Sequence, residues 1–305
     1  MTISGSNQQY LADLQSTQNQ LNQAQAQLSS GYRLQQASDD PAAISEIYEL
    51  QTQIAANQQT QKNLTGAQSE LSAADTALQS SIQAVQSALS LAAQGATSTS
   101  TASDRANIAV EVQGIQQTLV SLSQTQVNGS YIFSGDQSTQ PSYSLDPTQP
   151  EGVQQLITTT NTREIQDVNG TPIATALTAA QIFDAQDASG NPLPGNVFNA
   201  INSLVTALQN NDQAGISAAS DSLNNASQYL NGQLAFYGET TNRVSAASQL
   251  AQQFLVQDQT NLGQVQDANV PGAALELTQA QTQQQAELSV EAKIQQEPTL
   301  FSLLA

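Results

Sequence analysis

The chain has 305 residues, of which 38% are hydrophobic and 4% aromatic, a lean supply for one compact globule. Its net charge of -19, from 6 basic and 25 acidic residues, argues against nucleic acid or an anionic membrane as a partner. Without Cys or His it has no disulfide, no thiolate metal site and no cysteine nucleophile, and it lacks the commonest general base.

Gln, Ser, Ala, Thr and Asn dominate what remains, which predicts an elongated, mostly helical protein with thin cores. No apolar run approaches the roughly 20 residues that span a bilayer, so no membrane insertion is expected. The opening Met1-Thr2-Ile3-Ser4-Gly5 has neither the basic region nor the apolar core of a cleavable signal peptide.

The first pattern is a heptad seam. Tyr10, Leu14, Thr17, Leu21, Ala24 and Leu28 recur by alternating steps of four and three. Such a stripe is too narrow to be a core and needs a partner helix. It breaks at Ser29, Ser30 and Gly31. Asp40-Pro41 then restarts a helix, with a carboxylate to cap free N–H groups and a proline that lacks one. Ile44, Ile47 and Ile54, then Leu64, Ala67, Leu71, Ala74, Leu78, Ile82, Val85 and Leu89, continue the stripe. The spacing predicts one helix over about 41–94, roughly 80 Å long.

A Thr/Ser-rich link at 97–103 precedes a third helix with Ile108, Val112, Ile115, Leu119 and Leu122 on one face. Asn128-Gly129 stops it. The period then changes. Tyr131, Ile132 and Phe133 make a short β-type run, and residues 136–152, with Pro141, Pro147 and Pro150, read as loop. Val153–Thr160 and Glu164–Val168 read as strands, with Asn169-Gly170 as the strongest hairpin signal. Pro172 suggests an edge strand or irregular return.

Helix resumes at Val197 and carries Phe198, Ile201, Leu204, Val205 and Leu208. After a polar turn at Asn210-Asn211-Asp212, a second very long helix is predicted over about 213–266. Its stripe includes Ile216, Leu223, Leu230, Leu234, Val244, Leu250, Phe254, Leu255, Leu262 and Val265. Asn269-Val270-Pro271-Gly272 breaks it. A last run bears Leu275, Leu277, Ala280, Leu288, Val290 and Ile294.

The two ends match: each has two helices separated by a breaker. Laying one pair antiparallel on the other is the simplest way to cover four stripes. The expected fold is therefore mainly α, an antiparallel long-helix coiled-coil bundle of N- and C-terminal parts with a small, mainly-β insertion. The expected divisions are a terminal assembly domain (1–40 with 268–305), a long-helix bundle (41–129 with 197–267) and the insertion (130–196). Tyr10, Leu14, Leu21, Leu28, Leu288 and Ile294 are the expected assembly residues. Leu300, Phe301, Leu303 and Leu304 join them, being too apolar for a solvated tail.

No catalytic constellation emerges. Asp39 and Asp40 are the only adjacent acidic pair, and their place before Pro41 makes them helix caps. No Gly-rich run precedes a Lys-Ser or Lys-Thr, so no phosphate loop is present. The tyrosines lack the basic neighbours of a base-stacking face. Arg33, Arg105, Arg163 and Arg243 are well separated and read as members of surface or interface ion pairs. The chain is expected to be no enzyme, with no catalytic, cofactor-binding or metal residues.

Particular residues carry a family likeness. Leu28-Ser29-Ser30-Gly31-Tyr32-Arg33-Leu34, then Ala37-Ser38-Asp39-Asp40-Pro41-Ala42, resembles the N-terminal signature of bacterial flagellins. Asp104-Arg105, Glu111-Val112 and Asn128-Gly129 resemble the pattern that ends that family's third helix. Gln266-Asp267-Ala268-Asn269 and Leu300-Phe301-Ser302-Leu303-Leu304 resemble its C-terminal turn and apolar tail. Within the superfamily, Gly129-Ser130-Tyr131-Ile132-Phe133-Ser134-Gly135-Asp136, with Pro141 beyond it, is similar to the hook-associated proteins that join hook to filament.

The resemblance implies a structural part of the bacterial flagellum, outside the cell, reached unfolded by flagellar type III export. It implies self-assembly into a ring or helical array through the terminal helices. The implied neighbours are another hook-associated protein and flagellin, with an export chaperone beforehand. Filament flagellin itself is the alternative reading, and a secreted coiled-coil adhesin is a rival from another class.

Overall fold

A computed structural model describes residues 3–36 and 38–296, and side-chain environments over 8–36 and 38–293. Seven helices occur in chain order among these residues: α1 Ile3–Ser30, α2 Pro41–Gly95, α3 Ala102–Ser123, α4 Ala179–Phe183, α5 Val197–Gln209, α6 Gln213–Gln266 and α7 Val270–Gln296. Between α3 and α5 lie β1 Gln126–Val127, β2 Ser130–Tyr131, β3 Tyr143–Leu145, β4 Val153–Gln155, β5 Glu164–Gln166 and β6 Pro172–Ala174. The fold is mainly α, with long helices packed on one another and three small two-stranded ribbons. The chain divides into two units, Met1–Ala56 with Phe254–Ala305, and Asn57–Gln253; α2 and α6 contribute to both.

The helix ends follow the local chemistry. The Asp40 carboxylate accepts from the N–H of Ala43 at 3.1 Å, with Pro41 as the first helical residue. Thr101 and Asp104 form a reciprocal capping box at α3, as Thr178 and Gln181 do at α4. The Asn196 side chain caps α5 by accepting from the N–H of Asn199 at 2.8 Å. At α7 the helix starts inside the expected breaker: Asn269 accepts from the N–H of Gly272 at 3.1 Å, and Pro271 falls in the first turn, where it costs no hydrogen bond.

In the Asn57–Gln253 unit, the α2 stripe Leu64, Ala67, Leu71, Ala74, Leu78, Ile82 and Val85 is buried as its spacing predicts. It shares one core with Ile216, Ala219, Leu223, Ala226, Leu230, Tyr237 and Val244 of α6. A fully buried leucine of this kind contributes roughly 1.5–3 kcal/mol. On α3 the buried face is turned from the expected one. Ala109, Val112, Gln116 and Leu119 are buried, while Ile108, Ile115 and Leu122 pack along its flank. Large side chains can flank a helix contact while small ones let the backbones approach.

The ribbons differ most from expectation. Residues 136–152 are not all loop, because Tyr143–Leu145 pairs antiparallel with Val153–Gln155. The strand expected over Val153–Thr160 stops at Gln155. The two-residue hairpin turn is Asn128-Gly129, with φ of 52° and 79°, joining β1 to β2. Asn169-Gly170 instead lies in a five-residue connection, since Gln166 is opposite Pro172. There Asp167 accepts from the N–H groups of Asn169 and Thr171, both at 2.8 Å, and this side-chain turn replaces the tight one.

Aromatic residues distant in sequence hold the region together. Phe133 meets Phe183 edge-on at 6.0 Å and Tyr237 at 6.4 Å, Phe183 stacks on Phe198 at 5.8 Å, and Tyr143 lies 5.1 Å from Phe198. The Tyr237 hydroxyl accepts from the N–H of Leu177 at 3.1 Å.

Candidate assembly surface

In the terminal unit, α1 packs on α7. Seen from α1, the expected seam is the covered side: Leu21, Ala24 and Thr17 are buried, and Tyr10, Leu14 and Leu28 are partly covered. The covered side of α7 is Ala273, Leu277, Ala280, Gln284, Glu287 and Glu291, a heptad series in which every residue but Leu277 is small or polar.

Hydrogen bonds supply the register that so few apolar groups cannot. The Tyr10 hydroxyl donates to Glu291 Oε2 at 2.9 Å and to the Glu287 carbonyl at 3.3 Å. The Thr17 hydroxyl donates to Glu287 Oε1 at 2.9 Å, and Gln284 donates to Gln18 at 2.8 Å. Burial raises the Tyr10 pKa above its usual value, and the Glu291 carboxylate adds to the shift.

The two breakers form one joint. Gly31, at a φ of 76°, ends α1 in the left-handed region that favours glycine. The Gly31 carbonyl accepts from the N–H of Ala268 at 2.8 Å, and the N–H of Arg33 donates to the Gln266 carbonyl at 2.9 Å. The Arg33 guanidinium donates to the Val265 carbonyl at 3.2 and 3.3 Å, at the negative end of α6, and pairs with Asp40 at 3.7 Å. Asp39 accepts from the N–H groups of Gln35 and Gln36 at 3.0 and 2.8 Å. Ser30 donates to the Ala26 carbonyl at 2.8 Å and Ser29 to the same oxygen at 3.1 Å. The signature Leu28-Ser29-Ser30-Gly31, Arg33, Asp39, Asp40 and Pro41 is thus the material of this joint.

The signature residues of the other unit also have local tasks. Asn128 and Gly129 make the hairpin turn, and Phe133 is fully buried. Gly135, at a φ of 57°, faces the Asn161 carbonyl so closely that an added Cβ would stand 2.3 Å from it.

The α1–α7 pair leaves large apolar groups uncovered: Leu11 is 60% exposed, Leu275 59%, Leu288 51% and Val290 50%. At about 100° per residue, Leu275 points away from the α1-facing side of α7, and Leu288 and Val290 flank it on either hand. One neighbour therefore cannot cover them all. Leu275, Leu288 and Val290 are not part of the α1-facing stripe, whereas Leu277 and Ala280 are. The Ile294 side chain and Leu300, Phe301, Leu303 and Leu304 lie outside the described residues.

Two arginines pair as expected, Arg33 with Asp40 and Arg163 with Glu70 at 3.0 Å. Arg105 does not. It is buried, donates to the Gly95 carbonyl at 2.7 Å and the Thr97 carbonyl at 3.2 Å, and holds Asn211 of the α5–α6 turn. Spacing could not reveal this, because two of its partners are backbone carbonyls and the third, the Asn211 side chain, is distant in sequence. Among the described residues no group of three or more Asp and Glu side chains could hold a metal ion, and no helix is long and apolar enough to cross a membrane.

Residues 4–138 match the family described as the bacterial flagellin N-terminal helical region. The chain is 34% identical over 110 residues to the flagellar hook-associated protein 3 of Salmonella typhimurium, and equally to that of Escherichia coli. That stretch is 36% of this chain and 35% of each relative, so the match spans about a third of their length. Among solved structures, a chain assigned as a flagellar hook-associated protein in Vibrio parahaemolyticus superposes with a TM-score of 0.65 at 21% identity, over 75% of this chain and 100% of its own. The flagellar junction protein of Legionella pneumophila superposes with a TM-score of 0.56 at 14% identity, over 72% and 99% of the two chains. These likenesses show a shared fold.

Proposed function

Because this chain carries the N-terminal helical region of bacterial flagellins and the fold of hook-associated proteins, we propose that it is a structural component of the flagellum that joins hook to filament. The role is mechanical rather than catalytic. Copies assemble with one another through α1 and α7, and the assembly meets a hook-associated neighbour on one side and flagellin on the other. The protein lies outside the cell and arrives by flagellar export, with a chaperone shielding its apolar C-terminal residues beforehand. The N- and C-terminal helices form an assembly division separate from the long-helix bundle and the 130–196 insertion.

The observation that carries the reading is α7 itself. It bears Leu275, Leu288 and Val290 on sides that α1 leaves open. These three side chains are the apolar contacts that this otherwise Gln- and Glu-rich helix offers to partners beyond α1. Copies packed on several sides would cover them.

The test is reconstitution. Purified protein is mixed with isolated hook–basal bodies and then with flagellin monomers. Sedimentation and electron microscopy should find it on hook tips, with filaments growing only from tips that carry it. Hooks that stay bare, or filaments that grow equally without it, would contradict the proposal.

A further inference from the structure

The Asn57–Gln253 unit holds two carboxylic acids with no cation between them. Asp184, at the end of α4, is 5% exposed, and Glu151 lies in the loop Asp146–Gly152 that joins β3 to β4. One amide group touches both: Asn196 Nδ2 donates to Asp184 Oδ1 at 2.7 Å and to Glu151 Oε1 at 3.2 Å. Asp184 also accepts from the Tyr143 hydroxyl at 2.8 Å and from Gln186 Nε2 at 2.8 Å. Sharing one amide nitrogen brings an oxygen of each carboxyl group to the same atom, so the two groups are close neighbours and a proton on one of them relieves their repulsion. Asp184 already takes three donors, so the proton belongs on Glu151.

The neighbouring elements offer no basic side chain. β3 presents Tyr143, β4 presents Gln154 and Gln155, α5 presents Asn196 and Asn199, and α3 presents Gln116. The ionisable group in contact with the pair is the Tyr143 hydroxyl, whose pKa is raised by burial and by the two carboxyl groups. Around them is a cavity of about 490 Å³ that also touches Gly190 and Pro192. The loop is held to the helices by this contact, by Gln116 donating to the Glu151 carbonyl at 3.2 Å, and by Asn202 donating to the Pro150 carbonyl at 2.8 Å.

We propose that Glu151 and Asp184 form a proton-shared latch, which holds the β3–β4 loop against α5 in acid and releases it in alkaline solution, opening the cavity between loop and helix. Two like charges bridged by a single amide repel at short range, and only the shared proton makes the contact attractive. Burial, with the neighbouring Asp184 carboxylate adding to it, pushes Glu151 up to about 7 from 4.5. The folded protein keeps a proton that the unfolded chain gives up near pH 4.5. The latch therefore contributes fully below that pH and is lost as pH rises through about 7. It operates whether or not the chain assembles.

Hydrogen exchange of the full chain, corrected for the intrinsic pH dependence of exchange, tests this. Protection of residues 146–155 should fall at least about tenfold between pH 5.5 and 8.5, a factor equal to one pKa unit of coupling. Glu151→Gln should flatten that profile while leaving α2 and α6 protection as before. Carbon-13 NMR of the native Glu151 carboxyl supplies a readout that needs no variant, with a midpoint near 7 expected. A midpoint in the ordinary glutamate range, a flat native profile, or an equal slope in Glu151→Gln would overturn the latch.

Discussion

The Thr17 hydroxyl lies 2.9 Å from Glu287 Oε1, joining residues 270 positions apart in the chain. Thr17 is buried where the heptad pattern would ordinarily put an aliphatic side chain. The α1–α7 pair thus has a polar pin at its centre, and that pin fixes which residues face each other. Thr17→Val should cost the pair about 1–3 kcal/mol, because Glu287 loses a donor without regaining water. Adding Glu287→Leu should recover most of that loss, since an apolar pair has nothing left unsatisfied. Hydrogen exchange in α7 across the double-mutant cycle reads the coupling; strictly additive effects would remove the pin.

Arg105 ties the end of α2 to the α5–α6 turn through the Gly95 and Thr97 carbonyls and Asn211. Arg105→Met should lower the urea midpoint by an amount equivalent to about 2–4 kcal/mol, because the Gly95 carbonyl at the end of α2 and the Thr97 carbonyl beyond it lose their donors. Arg105→Lys should recover less than half, since an ammonium cannot reproduce the planar fork.

Two glycines with positive φ should respond differently. An added Cβ at Gly170 meets nothing, whereas at Gly135 it meets the Asn161 carbonyl. Gly170→Ala should therefore cost only the left-handed strain, about 1–2 kcal/mol. Gly135→Ala should cost more, because the 161 backbone must also move. Equal thermal shifts for the two variants would contradict the close approach.

Substitution of Leu275, Leu288 and Val290 by Ser separates folding from assembly. All three are about half exposed or more. The triple variant should keep its stability to within about 0.5 kcal/mol per site. Its incorporation into flagella should nonetheless fail. A variant that unfolds would place these residues in the chain's own core; normal incorporation would free them from any interface.

Long elements were legible because their signal is repeated. The α2 stripe from Leu64 to Val85 offers many matches to one period, and its burial follows. The joint was legible too, since Gly31, Asp40 and Pro41 act on the backbone beside them. The ribbons were less so. Tyr143–Leu145 is three residues long and is defined by its partner β4, not by its own periodicity. α4 was missed although Thr178 and Gln181 have the spacing of a capping box, a signal that a search for that pair would have found. The polar side of α7 was misread because Leu288 and Val290 suggested a stripe, while Glu287 and Glu291 hold the α1 contacts through hydrogen bonds. Arg105 and the Glu151–Asp184 pair depend on contacts made only by tertiary folding.

The most direct test of the central claim is immunogold labelling of this protein on intact flagellated cells. The account predicts gold in one narrow band where hook meets filament. Gold along the whole filament would make the protein a filament subunit, and flagella without gold would contradict a flagellar role altogether.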